Sequence, residues 1–390
     1  MKAGTLILTI SAVLLLGAGG LFTFNYINNG KIDDSKKTQD ESSVYDETST
    51  VEDAEPFVPP VYIEYGLEDI HKGKLILVNR DYEYVERSNA DIVNIYSQKN
   101  EYYDVNTVDM LLDRTMISAI NSMLGDFSAA TGITNILANS GYRTYSEQEI
   151  MYNNDMEATG LSYSEFVAPP GYSEHHTGYA MDFAINDGYS YPALKNEDEY
   201  SWIYNNAHKY GMIHRYTEEN KHITGYSAES WHFRYVGEPH STLIKRMGLS
   251  LEEYVNFIKD YSFESPLEYK YSETKFYKIY FVKADFENEK TDVPVSYEAF
   301  SDENYEYSIS GNNYDGFIVT LETSELSEDY DETFLDMFRP DTSMIQSENP
   351  DSSQVQDETA ENSDTEVSES ESGETSEEDT ETHNSEDEGW

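Results

Sequence analysis

Apolar residues recur at helical spacing along one early stretch. Leu112, Met116, Ile120, Met123, Leu124 and Phe127 share a face, and Gly132 supplies a stop. Before it, the short apolar run "KLILVN" (residues 74–79) predicts a strand. After it, "ITNILANSGYRT" predicts a strand that opens into a loop at residues 140–144. Ser146 and Glu149 form a capping-box pattern that starts another helix, which Gly160 can end. The Pro and Gly content of "VAPPGYSEHHTG" predicts a loop, and "YAMDFAI" a strand. A helix over residues 197–210 stops at Gly211, and "MIHRY" and "WHFRYV" read as further strands. Trp231 and Tyr235 alternate with His232 and Arg234 and are expected to pack the core. Ser250 and Glu253 repeat the capping-box pattern ahead of "LEEYVNFIKDY". Helices and strands mix without regular alternation, which predicts an α+β fold rather than a doubly wound sheet.

Beyond Ser265 the pattern changes to strands. "TKFYKIYFVKA" and "YEYSISGNNYDGFIVTLET" are strand-like, and "GNNYDG" is a turn between two of them. Residues 266–340 therefore read as a small β-rich region. Its tyrosines suit a half-buried sheet better than a carbohydrate surface, because Tyr is a common strand residue.

Composition adds two tails to this picture. The 390-residue chain carries a formal charge of −51, unevenly spread. Residues 341–390 hold 18 acidic side chains, no Lys or Arg, and few apolar residues. Such a segment cannot offset the entropy of ordering and is expected to be disordered. The shortage of clustered Lys and Arg argues against nucleic-acid binding. Residues 28–57 are also polar and acidic and read as a flexible linker. Residues 3–27, after Lys2, carry no charge and are long enough to span a bilayer. A signal-anchor over residues 1–27 is preferred on length, with a cleaved signal as the rival. Lysines lie on both sides of it and leave the topology undecided. The chain has no cysteine, which removes disulfides, thiolate metal sites and cysteine nucleophiles together.

The histidines carry the candidate chemistry. His175 sits in a Gly/Pro-rich loop, Asp182 in the following strand, and His232 at the start of "HFRYV". Three N or O donors with a fourth position free is the arrangement of a catalytic zinc site. Glu229, three residues before His232, could take a proton from a metal-activated water. Spacing alone leaves a purely structural role for these residues equally open, since His-x6-Asp is a loose pattern. It also offers no choice between His175 and its neighbour His176.

Several motifs together go further. "SEHHTGYAMD", "ESWHFRYVG" and "SGYRTYSEQ" occur in order, alongside "LVNRDY", "NAHKYGMIHRY" and "LEEYV". This set resembles VanY-type D-alanyl-D-alanine carboxypeptidases, within the zinc metallopeptidase group of lysostaphin-like enzymes, D-Ala-D-Ala peptidases and the Hedgehog signalling domain. The resemblance covers about residues 59–265. It implies a single α+β zinc peptidase domain over residues 58–265 that mixes helices with an antiparallel sheet. It implies Zn²⁺ ligands at His175, Asp182 and His232 and a general base at Glu229. Arg143 matches an arginine that contacts substrate and stabilises an oxyanion, while Gln148 and Ser173 match substrate-binding positions. His176 falls where the family varies. The implied activity is hydrolysis of the terminal D-alanine from peptidoglycan stem peptides by a monomer held outside the membrane, or secreted. L,D-carboxypeptidase action on tetrapeptides, endopeptidase action, and non-catalytic cell-wall binding are the alternatives.

Overall fold

The structure is a computed structural model that describes residues 58–86, 91–300 and 305–338. The expectations for residues 1–27, 28–57 and 341–390 lie outside the described residues. Among the described residues, no helix is long and apolar enough to cross a membrane.

In chain order the elements run β1 (Val61–Gly66), β2 (Ile92–Asn94), β3 (Asp104–Val105), β4 (Leu111–Asp113), α1 (Arg114–Thr131), β5 (Ile136–Ser140) and α2 (Tyr145–Thr159). They continue with β6 (Ala180–Ile185), α3 (Ser201–Asn206), β7 (Met212–Tyr216), α4 (Lys221–Thr224), β8 (Glu229–Tyr235), α5 (His240–Met247) and α6 (Leu251–Ile258). The last strands are β9 (Leu267–Lys270), β10 (Phe276–Lys283), β11 (Lys290–Val295), β12 (Tyr307–Gly311) and β13 (Gly316–Thr323). A five-stranded sheet has the order β3-β5-β6-β8-β7, and a four-stranded sheet the order β12-β13-β10-β9. Apart from β3 with β5, the pairs are antiparallel. The fold is α+β, as the pattern of elements predicted.

Helix α1 forms where the apolar spacing places it. Its Met116, Ile120, Met123, Leu124 and Phe127 are fully buried against Phe183 and Phe233 of the five-stranded sheet. Burying such a side chain stabilises the fold by about 1.5–3 kcal/mol. Asp113 caps its start by accepting from the Thr115 N–H, and Gly132 ends it in the left-handed conformation. Leu112 belongs to β4 rather than to the helix. Helix α2 starts earlier than its predicted box. Thr144 and Glu147 cap it in place of Ser146 and Glu149, because both pairs satisfy the same spacing rule. The helix expected over residues 197–210 is broken into α3 with single 3-10 turns on either side.

Residues 74–79 are not a strand. Leu75, Ile76, Leu77 and Val78 are buried, but no strand ladder forms: the Leu77 N–H donates to the Asn312 carbonyl, and side chains hold most of the rest. Arg234 donates to the carbonyls of Lys74 and Ile76, and Asn313 donates to that of Leu77. A continuous apolar run reports burial, and periodicity alone does not say how the backbone groups are paired.

The strands predicted after residue 265 are present as β10, β12 and β13, and "GNNYDG" turns between the last two. Most of this region's core is shared, apart from a small cluster of Val295, Ala299 and Leu321. Tyr269, Tyr277, Ile279 and Ile318 share an apolar cluster with Leu75, Ile213, Leu243, Val255 and Ile258. Strand β1 pairs along its whole length with β11.

Candidate metal centre and active site

The centre of the site is a cross-strand pair. Asp182 on β6 lies directly opposite His232 on β8, and the His232 Nδ1 is 3.0 Å from Asp182 Oδ1. His175 reaches the same carboxylate from the loop before β6, with its Nε2 3.3 Å from Asp182 Oδ2. A single 3-10 turn, Glu174–Thr177, presents it. The Ser173 hydroxyl accepts from the His175 N–H at the start of the turn, and Gly178 closes it at φ 73°. A side chain at Gly178 would meet both that strained conformation and the Ile92 side chain. The His175 Nδ1 donates to the Gly141 carbonyl at 2.6 Å, which leaves Nε2 facing Asp182.

Glu229 joins this group through an irregularity. Residues three apart on a regular strand point to opposite faces. In the β7–β8 pairing, His214 faces Phe233 and Tyr216 faces Glu229, so two steps on β7 match four on β8. This bulge turns Glu229 to the same side as His232, and its Oε2 lies 3.7 Å from the His232 Nδ1. It also places Trp231 differently from expectation. Tyr235 packs in the core, but Trp231 lines the cleft beside Phe166.

The cleft has a volume of about 140 Å³, and His175, Asp182, His232, Glu229, Arg143, Gln148 and Ser173 all contribute to its wall. One Arg143 Nη1 donates to Gln148 Oε1 at 2.7 Å, and Nη2 lies 3.6 Å from Asp182 Oδ2. Its Nε is buried with no hydrogen-bond partner. Gln148 is fully buried and spends its amide N–H on the Ala168 carbonyl, so it orients Arg143 as well as lining the cleft. His176 is turned away from the cluster. Its Nδ1 donates to the Arg143 carbonyl, and its Nε2 accepts from the Gly171 N–H.

Electrostatics follow from burial and neighbours. Burial, with Arg143 nearby, lowers His175 to about 4. Burial would lower His232 too, but its bonds to Asp182 and Glu174 outweigh this and raise it to about 9. Asp182 is held below the usual carboxylate range. Burial works against that, and the two histidines overcome it. Burial pushes Glu229 up to about 7, against the opposing pull of His232.

His175, Asp182 and His232 form a group able to hold a metal ion, each offering one donor atom within 4.8 Å of the others. The donor chemistry fits zinc, which takes imidazole and carboxylate together. A tetrahedral site with bonds of that type sets its donors about 3.3–3.6 Å apart, close to the spacing between the imidazoles and the carboxylate here.

Several residues of the site were not singled out in the sequence. Glu174, Arg215 and Arg234 lie fully buried behind His232, and Tyr216 and Tyr226 line the cleft. Glu174 stands inside the "SEHH" motif, but no spacing rule connects it to a residue 58 positions later.

The chain is similar to several known proteins. The family model VanY, D-alanyl-D-alanine carboxypeptidase, matches residues 109–238. A D-alanyl-D-alanine carboxypeptidase of Enterococcus faecium is 34% identical over 258 residues, covering 65% of this chain and 77% of the relative. A bifunctional D-Ala-D-Ala dipeptidase and D-Ala-D-Ala carboxypeptidase of Enterococcus gallinarum is 38% identical over 135 residues, covering 33% and 71%. Among solved structures, a vancomycin-resistance D,D-dipeptidase in complex with a D-Ala-D-Ala phosphinate analogue superposes with a TM-score of 0.59 at 32% identity. It covers 67% of this chain and 98% of that one. The fold is that of VanY/VanX-like peptidases. The chain belongs to the VanY family of D-alanyl-D-alanine carboxypeptidases.

Proposed function

We propose that this protein is a zinc-dependent carboxypeptidase that removes the terminal D-alanine from peptidoglycan stem peptides. The observation that carries the reading is the convergence of His175, Asp182 and His232 on one point, with Glu229 beside them in the same cleft. His175 through Nε2, His232 through Nδ1 and the Asp182 carboxylate would hold Zn²⁺. When bound, zinc supplies Lewis acidity, lowering the pKa of a water and offsetting charge on a carbonyl oxygen.

The Glu229 carboxylate takes a proton from the attacking water and delivers it to the leaving amine. A carboxyl group raised by burial toward neutrality suits both transfers. Arg143 faces the cleft with a free Nε–H, and its cationic fork suits the oxyanion of the reacting carbonyl or the carboxylate of the peptide. Gln148 holds that guanidinium in place, and the Ser173 hydroxyl and the Gln148 amide oxygen border the peptide's path. Stem peptides lie outside the cell membrane, so the catalytic region works there as a monomer, tethered through residues 3–27 or secreted.

The test uses the full chain. Purified protein should carry about one zinc, as a mononuclear site requires. It should release D-alanine from a pentapeptide ending in D-Ala-D-Ala faster than from the corresponding tetrapeptide. Faster release from the tetrapeptide would reassign it as an L,D-carboxypeptidase. Zinc-loaded protein that releases nothing from either peptide, but retains cell wall, would make it a binding protein.

A further inference from the structure

Behind His232 lies a chain of buried charges that the proposed mechanism does not use. Glu174 sits at its centre with a side chain that has no exposed surface. Its Oε2 accepts from the His232 Nε2 at 3.1 Å. Its Oε1 accepts from Arg215 Nε at 2.8 Å and from Arg234 Nη1 at 2.9 Å. Both arginines are themselves fully buried. Arg234 spends its remaining donors on the carbonyls of Lys74, Ile76 and Tyr235. Arg215 makes a two-pronged contact with Glu252 on α6, at 2.9 and 2.5 Å, and Asn79 donates to the same carboxylate.

Such an arrangement is costly for stability alone. Burying a carboxylate and two guanidinium groups carries a desolvation penalty of several kcal/mol per ion, and apolar packing of the same volume is often no worse. The geometry has a different use. His232 has two ring nitrogens, and only Nδ1 faces Asp182 and Glu229. A carboxylate on the opposite nitrogen fixes the ring's rotation and its tautomer, with the proton on the side away from the ligating atom. Two arginines from neighbouring strands hold that carboxylate, and Arg215 passes the restraint on to α6.

Resting on the reading of His232 as a zinc ligand, we propose that Glu174 is the positioning residue of the metal centre. It orients His232 through Nε2 and is itself braced by Arg215 and Arg234. Glu252 and Asn79 complete the brace from outside residues 109–238, the segment matched to the family. The zinc affinity of this protein therefore depends on residues well beyond its ligands.

The experiment measures zinc dissociation constants and the visible spectrum of the cobalt-substituted protein, for the full chain and for Glu174→Gln. The expected result is zinc affinity lower by about 10–100-fold, the range for loss of such a partner. The cobalt spectrum should shift as His232 loses its fixed orientation. A purely structural Glu174 would lower the melting temperature but leave both readouts of the folded protein within twofold of the native chain, and that result overturns the proposal. If Glu174→Gln does not fold, Glu174→Asp carries the test. It keeps the charge between the arginines while withdrawing the oxygen from His232. A folded Glu174→Asp with native zinc affinity and a native cobalt spectrum overturns the proposal equally. The two readings fail separately. A native chain that binds neither zinc nor cobalt sinks the proposed function. A native chain that binds both, with variants that do the same, sinks only the role of Glu174.

Discussion

The five-stranded sheet and the four-stranded sheet bury different kinds of polar group. Around the first, Glu174, His175, Arg215, Glu229, His232 and Arg234 are buried, and all can carry charge. In the second region, beyond residue 266 and among the described residues, the buried polar residues other than tyrosine are Thr291, Ser310, Asn312, Asn313, Thr320 and Thr323, none of them an acid, a base or a histidine. The neutral set does local structural work. The Asn312 side chain accepts from the N–H groups of Tyr314, Asp315 and Gly316 and so closes the β12–β13 turn. Thr320 contacts His240 on α5. A fold that needs only stability can satisfy its interior this way, because a neutral group costs far less to desolvate than an ion. Buried charge that converges on one point therefore marks where chemistry is done.

That contrast predicts graded effects. The largest belongs to the ligands. His175→Ala should abolish stoichiometric zinc binding and with it all peptidase activity, while His176→Ala should keep about one zinc per chain, measured by metal analysis of purified protein. Zinc lost from the His176 variant instead would overturn the assignment. Next comes the base. Glu229→Gln should retain zinc and lower kcat by about 10²–10⁴-fold, the range for removal of a general acid–base group. Turnover at the native rate would remove Glu229 from the mechanism. Arg143→Lys keeps the charge but loses the fork, and kcat/KM should fall by about 10²–10³-fold. The smallest catalytic effect is expected in the other sheet. Ile279 on β10 is fully buried, so Ile279→Ala should cost about 2–5 kcal/mol in denaturant unfolding. Its kcat should stay native at temperatures where it remains folded. An altered zinc affinity in that variant would show that the two regions are more tightly coupled than the comparison implies.

Local rules carried the reading furthest where a single element decides its own form. The α1 stripe, the Gly132 and Gly160 stops and the Ser250–Glu253 box all recur in the structure, because caps and helical faces depend on neighbours a few residues away. The reading missed where two solutions satisfy one rule, as with the start of α2. It missed again at residues 74–79, whose backbone is held by Arg234 and Asn313 from far along the chain. At the site, residue types and order brought His175, Asp182, Glu229 and His232 to attention through their motifs. The residues given no role there, Glu174, Arg215 and Arg234, gain meaning only from one another.

The sequence by itself narrowed the donors a metal centre could use. Without cysteine, such a centre has no thiolate, and the motifs that resemble the family's offer imidazole and carboxylate in order. It also determined the α1 stripe, its Gly132 stop and the strand-like character of β6, β8, β10, β12 and β13, since periodicity and caps are local. Tertiary structure alone decided the rest. The β6–β8 register set Asp182 opposite His232, and the bulge in β8 turned Glu229 to their side. The loop before β6 places the two adjacent histidines differently, directing His175 into the cleft and spending both nitrogens of His176 on backbone groups. A one-residue slip in strand pairing would reverse every side chain on β8, and the strand's own alternation favours one register without naming the partner residue on β6. The partner is set by the packing of α1 and the sheet, which no local rule contains.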